Sequence, residues 1–245
     1  MNITIPRYTV GTDVETKDVK ESSYLLSIGE VLFDNWTLKV IGVFHVTFNP
    51  NDPEQAHRTV SDRTMDWWMN RSDPSVFPTQ AAYDFTWSGT MGFKQGMDLY
   101  AKNLFQMPKD GAVVRAMRGP DFDFPILKSC LRDTQNYRAP LYASPLDSHR
   151  TVERVLESLD IPPLTENEIT SFWRGGQPIP HVAVYDAGLE GYETARMYHI
   201  LHLIKTIGYD KAIETVNSWS TKLIDAKCGI GSEEYIPKLS APEKV

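Results

Sequence analysis

Two stretches near the N-terminus read as half-buried strands. In Trp36–Phe48, the residues Trp36, Leu38, Val40, Phe44, Val46 and Phe48 fall on one side of an extended chain. Tyr24–Phe33 is rich in β-branched and aromatic residues. Asp34-Asn35 between them has the chemistry of a tight hairpin turn, because both residue types tolerate positive φ. Val10 to Asp13 reads as the end of an earlier strand. The pattern predicts three antiparallel strands at the start of the chain.

Beyond them the period changes. Asp62–Asn70 reads as a short helix carrying Trp67 and Trp68, and a Gly-interrupted helical stretch covers Ala81–Phe105. Ala112–Met117 is an apolar run suited to a buried strand, with Gly119-Pro120 ending it. A helix is predicted from about Asp121 through Leu131, another over His149–Leu159, and an irregular, proline-rich loop over Ile161–Pro180. Asp186–Ile204 is the best helix of the chain, followed by Asp210–Ile224. Strands first, then strand–helix alternation, predict an α/β fold with a mixed central sheet flanked by helices. Residues 1–228 are assigned to one domain and 229–245 to a loosely ordered tail.

Composition narrows the class. Of the 245 residues, 41% are hydrophobic and 11% aromatic, enough for a substantial core. No apolar run is long enough to cross a bilayer and the N-terminus lacks a secretory h-region. The two cysteines, Cys130 and Cys228, form no disulfide or metal pattern, which points to a reducing, cytoplasmic compartment. The formal charge of −7 disfavours a protein that grips a long stretch of nucleic-acid backbone. It does not exclude an enzyme acting at a terminus, because a carboxylate cluster loaded with cations becomes a phosphate-binding surface.

Three acidic features could form such a cluster. In Asp13-Val14-Glu15-Thr16, residues two apart on an extended chain face the same side, so both carboxylates project together. In Arg118-Gly-Pro-Asp-Phe-Asp-Phe-Pro-Ile-Leu127, Asp121 and Asp123 lie where a strand hands over to a helix. In His181-Val-Ala-Val-Tyr-Asp186, a histidine precedes by five residues an aspartate opening the best helix. Taken alone, each has a bland reading as a polar loop, a helix cap or a chance spacing. In this order they make a set suited to hard divalent cations and phosphodiester cleavage.

With those residues, the sequence resembles the DnaQ-like 3′→5′ exonucleases of the ribonuclease-H-like fold, in the DEDDh branch. It is most similar there to phage DexA-type exodeoxyribonucleases and their exoribonuclease relatives. DVET…LLSIGEVLFD resembles their first motif, RTMDWWMN their tryptophan-pair helix, RGPDFDFPILKSCLR their second motif and HVAVYDAGLEGYETARMYHIL their third. The resemblance spans about Thr9 to Ile204. It implies two Mg²⁺ or Mn²⁺ ions held by Asp13, Glu15, Asp123 and Asp186, with His181 as the general base. Asp121 competes with Asp123, and the Phe-Asp pairing favours Asp123.

The substrate implied is the 3′ end of a nucleic acid, single-stranded, with DNA placed slightly ahead of RNA. The product implied is a nucleoside 5′-monophosphate. Thr16, Trp67, Trp68 and Arg150 are candidate substrate contacts, although at least one of the two tryptophans should belong to the core. Lys17 and Lys20 either approach the nucleic acid or sit in solvent. His199 and His202 are ordinary helix residues. Relatives occur as homodimers, and a dimer is compatible here. The alternative to an exonuclease is a non-catalytic module on the same fold that binds nucleic-acid ends or a protein.

Overall fold

The strand bearing Asp13 and Glu15 is the central strand of the sheet. A computed structural model of the chain describes residues 4–141, 144–161 and 179–217. In it β1 (Tyr8–Thr16) lies between β2 (Leu25–Asp34), which is antiparallel, and β4 (Val113–Met117), which is parallel. β3 (Lys39–Thr47) pairs antiparallel with β2. β5 (Leu146–Ser148) pairs parallel with β4, giving the order β3-β2-β1-β4-β5. This is the mixed sheet predicted. The first strand is longer than its sequence signal, and β5 carries too few residues to have shown any periodicity.

Helices cover both faces. The helices are α1 (Asp62–Met69), α2 (Gln80–Trp87), α3 (Phe93–Phe105), α4 (Asp123–Asp133), α5 (His149–Ser158), α6 (Ala183–Ile207) and α7 (Tyr209–Asn217). One core joins Val31, Phe33 and Val40 to Val152, Leu156, Tyr192 and Ile200, under α5 and α6. The other joins Val14, Ile28, Phe44 and Val46 to Met97, Tyr100, Ile126 and Leu127, under α3 and α4. Trp68 is fully buried in a smaller cluster with Tyr24 and Leu26.

Three expectations are corrected. The β2–β3 connection is not a two-residue hairpin. It is a turn over residues 35–38, closed by Leu38 at φ 53, with a register shift at Leu32/Phe33. Trp36, read on the apolar face of the next strand, lies in that turn and is exposed. The helical stretch 81–105 is two helices, broken at residues 88–92, and each has its own cap: Thr79 at the start of α2, and the Asp52 carboxylate, 2.6 Å from the Phe93 N–H, at the start of α3. The loop predicted for residues 161–180 lies mostly outside the described residues. So do the end of the 210–224 helix and the tail beyond 229.

β1 uses its two faces differently. Its even residues meet α3 and α4: Val14 joins the second core, and Thr12 joins a buried polar network. There the Glu30 carboxylate accepts from Tyr100 Oη at 2.9 Å, from Asn103 Nδ2 at 2.6 Å and from Arg115. Both charges are almost wholly buried, so losing one partner would strand the other at a cost of ~3–5 kcal/mol. Its odd residues face α6. A Cβ on Gly11 would lie 1.9 Å from the Ala187 carbonyl oxygen, and one on Gly29 would lie 2.3 Å from the Val184 nitrogen. Only glycine allows so close an approach of helix to sheet. That approach sets the first two turns of α6 beside Asp13.

Candidate active site

The β1–β4 ladder ends at Gly11↔Ala116, so Asp13 to Thr16 run on past the end of β4. Asp13 and Glu15, both on the α6 side, project into the notch this leaves. α4 starts across the notch and brings Asp123, buried in its first turn. α6 brings Asp186 and, one turn later, Glu190. His181 stands just ahead of α6. These residues, with Arg118, Asp121, Ser148 and Arg150, line a cleft of about 580 Å³. All five residues implied as catalytic from three distant segments of sequence therefore meet in one place.

The cluster is electrostatically unsatisfied. Burial raises the carboxyls of Asp13 and Glu15 well above the usual range, and the neighbouring carboxylates add to the rise. Burial likewise takes Asp186 to about 6 and Asp123 to about 7. Backbone N–H groups of Val14, Asp123 and Gly119 oppose the rise at Asp123, yet its Oδ1 has no hydrogen-bond partner among the described residues. Glu190 is pushed up to about 9 by burial and by Asp123 and Asp186, and among the described residues its Oε2 is also without a partner. Such buried, unpaired acids suit a cation. Glu15, His181 and Asp186 each offer an atom within 4.8 Å of the other two.

His181 sits at φ 66, an uncommon backbone conformation for a residue with a side chain. Its N–H donates to Asp186 Oδ2 at 2.8 Å. Burial and the Arg118 charge lower its pKa, keeping the imidazole neutral near pH 7. The ring meets Trp67 edge-on at 4.8 Å between centroids. Asp121 is exposed on the rim, whereas Asp123 lies inside the cluster.

The secondary candidates divide. Trp67, half-buried, forms a wall of an adjoining apolar pocket of about 430 Å³, shared with Val14, Glu15, Thr16, Arg63 and Phe122. Trp68 supports that wall from the core, its indole N–H donating to the Thr16 carbonyl at 2.9 Å. The Thr16 hydroxyl is committed to the Asp18 carbonyl at 2.7 Å. Arg150 is exposed in the first turn of α5 and lines the main cleft.

Lys17 takes neither position foreseen for it. It is buried, its Nζ 2.5 Å from the Pro50 carbonyl and over the Tyr24 and Trp87 rings. His199 and His202 are structural, the first bonded to the Asn35 carbonyl and the second stacked on Trp36.

Two cleft residues were not foreseen as such. Glu190 was legible as the i+4 neighbour of Asp186 on the packed face of α6. Arg118 opens the second motif but carries no spacing signal.

The strand order, with β1 central between an antiparallel and a parallel neighbour, is that of a ribonuclease-H-like fold, and the acid cluster lies at the end of its central strand. A family model described as the 3′-5′ exoribonuclease Rv2179c-like domain matches residues 9–190, and the chain belongs to this family. It is accordingly a 3′→5′ exonuclease. Among solved structures, exonuclease I aligns with a TM-score of 0.50 at 12% identity, over 86% of this chain and 43% of that one. E. coli exonuclease I in complex with a dA16 oligonucleotide aligns at 0.49 and 13%, with the same coverage. A 3′-exonuclease that recognises the histone mRNA stem-loop aligns at 0.47 and 13%, over 84% of this chain and 85% of that one. No curated protein sequence matches the chain. Among the described residues, no helix is long and apolar enough to cross a membrane.

Proposed function

We propose that this cleft removes nucleotides one at a time from the 3′ end of single-stranded RNA, with divalent cations held by Asp13, Glu15, Asp123 and Asp186. The observation that carries the reading is the set of buried carboxylates, unpaired at Asp123 Oδ1 and gathered around a neutral histidine. Oxygen donors of this kind fit Mg²⁺ or Mn²⁺, and two ions are assigned to the set. When bound, the cations would lower the pKa of the attacking water and neutralise charge on the scissile phosphate.

The chain's own groups do the rest. His181, neutral at physiological pH, accepts the proton of the attacking water at a ring nitrogen. The His181 N–H fixes Asp186 Oδ2 and so ties the base to the cation-binding acid. The bond broken lies between phosphorus and the 3′ oxygen of the preceding nucleotide, and the product is a nucleoside 5′-monophosphate. The apolar pocket walled by Trp67 and backed by Trp68 and Thr16 suits the terminal base, which it would hold without regard to sequence. Arg150 is assigned to a phosphate of the strand.

RNA is placed ahead of DNA because the matched family is described by exoribonuclease activity. Residues 1–228 are assigned to the domain, and the cytoplasm to its place of action. The test is degradation of 5′-labelled single-stranded RNA and DNA of the same sequence with Mg²⁺, Mn²⁺ or EDTA. A descending ladder that needs the metal, is faster on RNA and is absent from Asp186→Ala supports the reading. A ladder in EDTA would overturn the metal assignment, and faster cleavage of DNA would overturn the choice of substrate.

A further inference from the structure

The cleft holds positive charge beside its acids. The carboxylates come from β1, from Asp121 and from the starts of α4 and α6, while two arginines follow the ends of β4 and β5. The last pair of the β4–β5 ladder is Met117↔Ser148, so Arg118 and Arg150 leave neighbouring parallel strands at the same edge. Both line the cleft.

Arg118 is the better fixed of the two. It follows directly on Met117, the last residue of β4, so the strand fixes its Cα at the cleft that Asp186 and Glu190 also line. Its side chain is exposed, and among the described residues no hydrogen bond or ion pair holds the guanidinium. Yet the guanidinium is close enough for its charge to be felt at His181, Asp186 and Glu190. A cation held beside acids without pairing to them leaves room for another anion.

The geometry points to Arg118 as a substrate-binding residue that grips the phosphodiester one step upstream of the scissile bond. The inference rests on the exonuclease reading of the same cleft. A 3′-terminal nucleotide carries one phosphate, the scissile one, and that group belongs to the acid cluster. The next anion along the strand is the preceding phosphodiester. A planar guanidinium suits it, since it can donate two parallel hydrogen bonds to phosphate oxygens. The contact also adds one positive charge to a cleft rich in carboxylates.

The experiment follows release of the terminal nucleotide from single-stranded RNA carrying either natural linkages or one neutral methylphosphonate at the linkage upstream of the scissile bond. It uses the full chain, Arg118→Ala and Arg118→Lys, each checked for an unchanged melting temperature. Arg118→Ala should raise KM about tenfold or more with kcat nearly kept, the loss of a charge-assisted contact. It should also flatten the salt dependence of log kcat/KM by about one unit of slope. Arg118→Lys should restore part of both. The methylphosphonate should cost the natural enzyme about what Arg118→Ala costs, and should cost the variant little more. Full additivity of the two losses, or an Arg118→Ala enzyme with unchanged KM and salt slope, would overturn the inference and leave the exonuclease standing. A natural chain that degrades neither RNA nor DNA would overturn both.

Discussion

The His181 N–H donates to Asp186 Oδ2 over 2.8 Å, linking the proposed base to a cation-binding acid through the main chain. The bond holds His181 at φ 66 and aims its ring at the notch beyond β4. Charge and hydrogen bond at Asp186 can be separated. Asp186→Asn keeps an oxygen for the His181 N–H, and Asp186→Ala does not. Both should lose activity by at least about a hundredfold. Only Asp186→Ala should move the His181 backbone amide resonance substantially. His181→Asn, which tolerates the left-handed backbone, should keep the melting temperature and lose about 10²–10⁴-fold in kcat.

The metal-free protein should grow less stable as pH rises. Asp186, Asp123 and Glu190 titrate in the fold at about 6, 7 and 9, against about 4 in an unfolded chain. The folded state therefore binds more protons between pH 4 and 9, and its stability falls through that window. Denaturant unfolding in EDTA should show the fall. Added Mg²⁺ should flatten it, because cations replace the protons. Glu190→Gln should remove the part of the slope nearest pH 9. A flat profile in EDTA would mean that water already solvates the acids.

His45 should produce a separate limb in acid. Burial lowers its pKa from 6.5 to about 4, its Nε2 has no partner among the described residues, and its ring stacks on Phe85 at 5.3 Å. The unfolded chain takes up this proton first as pH falls. The contribution of His45 should be intact above pH 6.5 and smaller by on the order of 3 kcal/mol at pH 4, superimposed on the opposite trend of the carboxyls, because each tenfold difference in proton affinity between the folded and unfolded chain is worth about 1.4 kcal/mol. His45→Phe should lack the drop when the two proteins are compared by denaturant titration. An identical acid limb in the variant would assign the loss elsewhere.

Filling the contact between helix and sheet should cost activity beyond its cost in stability. A Cβ on Gly191 would lie 2.8 Å from the Gly11 nitrogen and from Phe33 Cε2. Gly191→Ala must lift α6 and should destabilise by ~1–3 kcal/mol. The lift moves Asp186 and Glu190 away from Asp13, and a misplacement of about 1 Å can cost on the order of a hundredfold in rate. Measured at a temperature where the variant is fully folded, kcat should still be reduced.

Much of this arrangement was legible in the chain. The Asp13–Glu15 pair, the Phe-Asp of the second motif and the His181–Asp186 spacing were each weak alone, and their order, resembling that of a known family, singled out the acids that the fold brings to one cleft. Of the two antiparallel strands, β3 was legible from its alternation and β2, buried on both faces, from its β-branched and aromatic content. β5 was not, because three residues have no period. Glu190 was visible as an i+4 neighbour but was read with the packing face of α6, since only the packed fold brings Asp123 across to it. Arg118, Lys17 and the Glu30–Arg115 network are set by contacts between distant segments. So is the need for glycine at residues 11, 29 and 191. Local sequence cannot say which lysine will be folded under a tryptophan.

The division of β1 into two faces bears on how this chain could change in evolution. Point replacements at Thr12 or Val14 would disturb one side of the strand and leave Asp13 and Glu15 aimed as before. A single-residue insertion or deletion between Gly11 and Asp13 would exchange the faces beyond it. It would turn the acids into the apolar interior and Val14 into the cleft. A two-residue change would restore the facing but carry the acids about 7 Å along the strand. This segment should therefore vary by substitution among descendants of the chain while its length stays fixed.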